Sequence, residues 1–214
     1  IQEHLFGQGH TFAQGQQLEY AVLFARLMIP ADGEETGADI VSTRLYDSSM
    51  DAVTTGTFDG LRLLFDIIAM LVVLIALVYL ANAVLGLLPD FGDKPVTLQR
   101  LLGYAMTPVA RLMGIPWAEA VSADSLLGIK IVLNELFAHP ELAALAEDTF
   151  SERSRLIMTY ALCGFANFGS LGIMVGGLGA MAPDRRGEIV SLGLKSIVAG
   201  TLATCMTGAI VGIL

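Results

Sequence analysis

Residues 67–88 read IIAMLVVLIALVYLANAVLGLL, a run of 22 residues without a charged side chain. As an α-helix this run would extend about 33 Å, because each residue adds about 1.5 Å. The hydrocarbon core of a bilayer is about 30 Å thick. The run therefore predicts a transmembrane helix and an all-α integral membrane fold.

The composition of the whole chain agrees with a membrane protein. Of its 214 residues, 54% are hydrophobic and 15% are charged, whereas roughly a quarter of the residues of a soluble domain are charged. This shortage of polar side chains disfavours a soluble globular enzyme. The net charge of −9, with 12 scattered Lys and Arg residues, argues against a nucleic-acid partner, because clustered basic side chains are what bind a phosphate backbone.

Two more uncharged runs are long enough to cross a bilayer. The run at 196–214 has 19 residues, and its Gly and Ala content suits close packing against other helices. The run at 156–181 has 26 residues but includes six glycines, which suit a regular helix poorly. Together with 67–88, these runs predict three crossings.

The basic residues predict an orientation. The positive-inside rule places Arg62 before the first run, and Arg185 and Arg186 before the last, on the cytoplasmic side. The same orientation leaves Arg153 and Arg155 on the outer side, against the rule.

Between the first two crossings lie two apolar pieces, at 98–115 and 125–138. Each is too short and too charged to cross a bilayer alone. Short apolar half-helices of this kind are typical of re-entrant hairpins. Irregular backbone at membrane depth is tolerated only where protein or a water-filled cavity surrounds it, so this stretch predicts a hairpin beside a cavity.

These features divide the chain into four parts. Residues 1–30 are predicted to be an atypical N-terminal segment that ends in the remnant of a transmembrane helix. Residues 31–60, rich in Asp and Glu, are predicted to form amphipathic helices at the membrane surface. Residues 61–89 hold the first transmembrane helix, and 97–214 hold the hairpin, the glycine-rich broken helix and the last helix.

Polar side chains interrupt the apolar runs at two places, Asn134 with Glu135 and Asn167 with Ser170. An ionisable side chain at membrane depth is costly unless it is paired or hydrated, so Glu135 is a candidate functional residue. Asn167 and Ser170 are three residues apart and share a helix face, with Phe165 close by. A carboxylate, amides, a hydroxyl and an aromatic ring suit a polar ligand that contains a ring, whether a sugar, a nucleoside or a polar amino acid.

Other interpretations have less support in the sequence. In one of them Glu135 is structural, and it pairs with Lys130 or caps a half-helix. The sequence has no nucleophile elbow, no Ser/His/Asp arrangement and no cluster with metal-ligand spacing, so we expect no catalytic residue, cofactor or metal site. Cys163 and Cys205 lie far apart in apolar runs and are predicted to be small buried hydrophobic side chains.

Two motifs carry a resemblance to a known family. The sequences VLNELFA at 132–138 and GFANFGS at 164–170, with their surroundings from about residue 21 to the end, closely resemble the C-terminal half of the concentrative nucleoside transporters. The resemblance implies sodium- or proton-coupled uptake of nucleosides rather than enzymatic activity. It also implies a multi-pass protein of the cell membrane that forms homotrimers.

Under this resemblance, the chain is one half of an inverted-repeat transporter with a re-entrant helical hairpin and a broken helix. Residues 61–89 are then the scaffold helix, and 97–214 are half of the transport domain, in which 187–214 are the last helix. The resemblance implies that four residues hold the ribose of the nucleoside, with Asn134 in support: Glu135, Phe165, Asn167 and Ser170.

The family's first hairpin and first broken helix are not found in this sequence. We therefore expect the site of the coupling Na+ or H+ to lie largely outside this chain, and the chain to supply half of the substrate site. The alternative is a non-transporting structural fragment of a truncated or frameshifted transporter gene.

Overall fold

A computed structural model describes residues 17–30, 47–90 and 95–214 of the chain. Within these ranges the chain is helical and contains no strand, which confirms the all-α prediction. Two single-turn 3₁₀ helices connect some of the α-helices. The α-helices are α1 (17–28), α2 (Ser49–Leu85), α3 (Leu98–Leu112), α4 (Trp117–Val132), α5 (Glu135–Ala144), α6 (Glu152–Leu162), α7 (Phe168–Met181) and α8 (Arg186–Val211).

Helix α2 contains most of the apolar run at 67–88, up to Leu85, but begins much earlier. The hydroxyl of Ser48 accepts a hydrogen bond from the backbone N–H of Asp51 at 3.1 Å and caps the helix. The helix continues without interruption through the boundary predicted between residues 60 and 61. That boundary is wrong, because exposed acids such as Asp59 are compatible with a helix interior. The predictions for residues 1–16 and 31–46 lie outside the described residues.

Among the residues that the structure describes, two helices are long and apolar enough to cross a membrane. They cover Ser49–Leu85, with a mean hydropathy of 2.9 in its most apolar window, and Pro183–Val211, with 1.6. The uncharged run at 196–214 misses the first ten residues of α8, which begins at Arg186, whereas the bounds 187–214 implied by the resemblance agree with α8 to within three residues at each end. The earlier turns of α8 contain Glu188 and Lys195, so an uncharged run cannot include them. Nearly all of α2 is exposed within this chain, and Val78 is its one buried residue.

The run at 156–181 is divided between two helices, which confirms the prediction of a broken helix. Helix α6 ends at Leu162 and α7 starts at Phe168, with 163–167 between them. Of the six glycines, Gly164 lies in the break and the others lie in α7. Glycine content alone therefore predicted a break without locating it.

Helices α3 and α4 pack side by side over most of their length. A methyl group added at Gly103 would lie 2.8 Å from the backbone oxygen of Asp124, so the two backbones nearly touch there. The hydroxyl of Thr107 donates to the Asp124 carboxylate at 2.7 Å. The connection between the helices contains Gly114, whose φ of +95° favours glycine.

The re-entrant turn is formed by α4 and α5. Ser151, just before α6, donates to the carboxylate of Glu119 at the start of α4, at 3.4 Å. Arg155 in α6 donates to the carbonyls of Leu142 and Ala146 at the end of α5, at 3.3 Å each. The start of α4 and the end of α5 thus meet at the same end of α6. The chain turns back between them at residues 133–134, which form the hairpin tip.

This geometry corrects the predicted arms of the hairpin. The second arm, predicted at 125–138, is divided by the break at Leu133 and Asn134. The first arm, predicted at 98–115, corresponds to α3, which packs along the outside of α4. The chain turns at Asn134, whose extended backbone ends one helix and starts the next.

Arg153 and Arg155, which the predicted orientation leaves on the outer side against the positive-inside rule, have defined hydrogen-bond partners. Arg153 donates from Nε to the carbonyl of Gly212 after α8, at 2.6 Å, and from Nη1 to the carbonyl of Gly114 after α3, at 3.1 Å. Together with Arg155, it therefore satisfies carbonyl groups at the ends of three helices. These bonds give both arginines a role in the fold.

We expect the Arg153→Ala substitution to lower the free energy of unfolding by about 1–2 kcal/mol, because two charge-assisted hydrogen bonds to helix ends are lost. The measurement is thermal unfolding of the purified protein in detergent. Arg185→Ala is the matched control, because Arg185 makes an exposed ion pair with Glu188 at 2.8 Å, worth about 0.5 kcal/mol. Equal losses in the two variants would contradict the capping role.

Candidate functional site

The hairpin tip places Asn134 and Glu135 at the N-terminus of α5. Asn134 is buried, and its side-chain oxygen accepts a hydrogen bond from the backbone N–H of Phe137 at 3.3 Å. This bond makes Asn134 the N-cap, so the predicted alternative in which Glu135 caps the half-helix does not apply. Oε2 of Glu135 is buried and has no hydrogen-bond partner within the described part of the chain.

The break between α6 and α7 places Asn167 and Ser170 at a second helix N-terminus. Asn167 is 3% exposed, and its side-chain oxygen accepts a hydrogen bond from the backbone N–H of Ser170 at 2.8 Å. The Ser170 hydroxyl in return accepts a bond from the backbone N–H of Asn167 at 3.1 Å. This reciprocal capping box fixes both side chains in the first turn of α7.

The hairpin tip lies next to this break. Sγ of Cys163, in the break, is 3.8 Å from Nε2 of His139 in α5. Thr204 of α8 contacts Gly164 in the break, where an added methyl group would overlap the threonine methyl. The same threonine accepts a hydrogen bond from Lys130 in the last turn of α4, at 3.3 Å. Two capped helix N-termini therefore lie close together.

Phe165 and Ser170 share a cavity of about 280 Å³ between α7 and α8. The Phe165 ring is 76% exposed and is thus free to cover a ligand. Asn134, Glu135 and Asn167 do not line this cavity. The five predicted site residues therefore occupy the hairpin tip, the capping box and the edge of this cavity. The other residues lining the cavity are Ala166, Leu171, Met174, Ser196 and Ile197.

Lys130 does not form the direct pair with Glu135 that the sequence offered as an alternative. Its hydrogen bond goes to Thr204, and Glu135 acts on it as one of the nearby charges. Both Lys130 and Thr204 are buried. Thr204 was not among the predicted site residues. Thr201, Thr204 and Thr207 recur every three residues in the last apolar run. This is the same spacing as that of Asn167 and Ser170, and it places polar side chains on one helix face.

The remaining predictions for small side chains are partly met. Cys205 is buried, as predicted, whereas Cys163 is half-buried beside His139. Among the described residues, no group of three or more His, Cys, Asp or Glu side chains could hold a metal ion. Polar side chains and helix N-termini are thus the groups that this site offers a ligand.

Comparison with known sequences gives one family. The family model described as "Na+ dependent nucleoside transporter C-terminus" matches residues 17–212. YutK, an uncharacterized transporter of Bacillus subtilis, is 44% identical over 197 residues, which cover 89% of this chain and 48% of YutK. NupC, a nucleoside permease of Helicobacter pylori, is 34% identical over 197 residues, covering 90% of this chain and 47% of NupC. The chain spans about half the length of these relatives.

Solved structures of CNTnw have the same fold. A substituted form of CNTnw in the intermediate 2 state superposes with a TM-score of 0.83 at 36% identity, covering 94% of this chain and 50% of that one. CNTnw in an inward-facing substrate-bound state gives a TM-score of 0.68 at 36% identity, covering 89% of this chain and 46% of that one. The chain belongs to the concentrative, Na+ dependent nucleoside transporter family and carries the C-terminal part of its fold.

Proposed function

We propose that the chain is the C-terminal half of a cation-coupled transporter that takes up nucleosides across the cell membrane. In this proposal the chain supplies the ribose-binding half of the substrate site. The observation that carries the proposal is the pair of capped helix N-termini at the hairpin tip and the break. At one of them lies Oε2 of Glu135, a buried carboxylate oxygen that has no hydrogen-bond partner among the residues that the structure describes.

The chemistry of these side chains matches a ribose. Glu135 can accept hydrogen bonds from two sugar hydroxyls. The cap engages the side-chain oxygen of Asn167, so its amide nitrogen is the atom that can donate to a ligand. The Ser170 hydroxyl keeps a lone pair beyond its two bonds in the capping box, and Phe165 can stack on an apolar face of the ligand.

The assembly and the coupling ion belong to the same proposal. The exposed apolar surface of α2 supports contact with lipid and with further copies of the chain in a multi-pass homotrimer. The coupling cation, Na+ or H+, is placed mainly in the half of the transporter that precedes this chain in its relatives. Uptake that needs a Na+ gradient indicates sodium coupling, and uptake that a protonophore abolishes in sodium-free medium indicates proton coupling.

Substitution of Asn167 tests the site. We expect Asn167→Asp to keep the helix cap, because Asp is as good an N-cap as Asn, but to reduce uridine uptake about tenfold through loss of the amide donor. The measurement combines uridine uptake with thermal unfolding, using the complete transporter, that is, this chain joined to the N-terminal half that its relatives carry.

Asn167→Ala provides the comparison, because it removes both the cap and the donor and should lose stability by about 1 kcal/mol as well as uptake. Normal uptake by both variants would refute the role of Asn167. Lack of uptake by the unsubstituted complete transporter would instead favour the non-transporting fragment.

A further inference from the structure

Lys130 is a charged side chain that is fully buried. It lies in the last turn of α4, has no exposed surface, and donates from Nζ to the hydroxyl of Thr204 at 3.3 Å. That hydroxyl donates in turn to the carbonyl of Thr201 at 2.9 Å. An ammonium group buried in an apolar interior is costly unless hydrogen bonds and an opposite charge compensate it. The environment of Lys130 must therefore provide both.

The hydrogen-bond acceptor, Thr204, also contacts the broken helix. A methyl group added at Gly164 would overlap Cγ2 of Thr204, so the threonine side chain lies directly against the backbone of the break. Gly164 is three residues before Asn167. One side chain of α8 thus touches the end of α4 through its hydroxyl and the break through its methyl group.

The opposite charge is that of Glu135. The titratable groups near Lys130 include Cys205 of α8, Cys163 of the break and Glu135 of α5. Glu135 is the carboxylate in this set, and its Oε2 is buried without a hydrogen-bond partner in the described chain. In the sequence, Lys130 and Glu135 stand on either side of the tip residues 133–134.

We propose that Lys130 and Thr204 are positioning residues that fix the hairpin tip, with Asn134 and Glu135, against the break that carries Asn167. This inference rests on the proposed function and deepens it. It names the contact that sets the distance between the two groups of ribose-binding residues, Glu135 at the hairpin tip and Asn167 at the break. Neither residue needs to touch the ligand. Their loss acts on the affinity for nucleoside through the placement of Glu135.

The test compares Thr204→Val, which keeps the shape and removes the hydroxyl, with Thr204→Ser, which keeps the hydroxyl and removes the methyl group. Uridine uptake by the complete transporter is measured as KM and as maximal rate per molecule in the membrane. For Thr204→Val we expect KM to rise about tenfold with little change in the maximal rate, because a buried hydrogen bond to a charged group is lost. Thr204→Ser should stay within about threefold of wild type.

Thr207→Val is the matched control. Thr207 is buried on the same helix, and its hydroxyl donates to the carbonyl of Ala203 in its own helix at 3.1 Å. We expect its KM to stay near that of wild type. If Thr204→Val does not reach the membrane, Thr204→Ala removes the same acceptor and replaces it in the comparison.

Three results would overturn the inference: an unchanged KM in Thr204→Val, equal damage in Thr204→Ser, or equal damage in Thr207→Val. The outcome for Glu135→Gln separates this inference from the proposed function. Loss of uptake in Glu135→Gln with a normal KM in Thr204→Val refutes the positioning role alone. Normal uptake in Glu135→Gln refutes the proposed site itself.

Discussion

Replacing Glu135 with Gln is expected to reduce nucleoside uptake about 100-fold, because each hydrogen bond to a charged group contributes about 1.5–3 kcal/mol and the ribose offers two hydroxyls. Gln has nearly the size of Glu but carries no charge. The substitution also removes the negative charge that acts on the buried ammonium of Lys130. The measurement is the initial rate of uridine uptake by the complete transporter, divided by its amount in the membrane.

Glu141→Gln is the matched control for this prediction. Glu141 lies on the same helix, α5, and its side chain is exposed. The chemical change is identical, so an effect of net charge or expression would appear in both variants. We expect Glu141→Gln to retain uptake close to wild type. If Glu135→Gln kept more than about half of the wild-type rate, a carboxylate bonded to the substrate at this position would be contradicted.

The parts of the fold that could be predicted are those that depend on residues close together in the sequence. An uncharged run predicts a membrane helix directly, as at 67–88, most of which lies in α2. The bounds of α2 and α8 could not be read in the same way, because helices continue beyond the apolar core into exposed, charged turns. Asp59 in α2 and Glu188 in α8 lie in such turns.

The site residues could be predicted from the sequence for a related reason. Asn134, Glu135 and Asn167 are polar in apolar surroundings, and the cost of burying such groups makes them conspicuous in the sequence. The N-cap roles of Asn134 and Asn167 depend on backbone breaks that hydropathy does not locate. The contact between Lys130 and Thr204 joins residues 74 positions apart, so no local pattern could pair them.

The packing of α3 on α4 was likewise hidden from the sequence. It depends on Gly103 and Gly128, each of which lies against the backbone of the other helix. A glycine in an apolar helix has several uses, and composition does not say which partner it approaches. Because these contacts position the arm that leads to the hairpin tip, a single added methyl group should have a large effect.

Gly128→Ala is expected to lower the free energy of unfolding by about 3 kcal/mol and the Tm by about 10 °C. Its Cβ would overlap the carbonyl oxygen of Gln99 and lie 2.9 Å from the backbone nitrogen of Gly103. Both neighbours are backbone atoms and cannot rotate away as a side chain can, so α3 and α4 must separate. Thermal unfolding of the complete transporter in detergent measures this loss.

Gly187→Ala tests whether the loss comes from this contact. Gly187 lies in α8 and is exposed, and outside its neighbouring residues and the backbone of its own helix no atom of the described chain lies within 4 Å of an added Cβ. Since Ala favours helix over Gly by about 1 kcal/mol, its Tm should stay the same or rise slightly. A Tm for Gly128→Ala equal to that of Gly187→Ala would mean that α3 can move away from α4 at little cost. The position of the hairpin tip would then depend more on the hydrogen bond between Lys130 and Thr204 than on the glycine contact between α3 and α4.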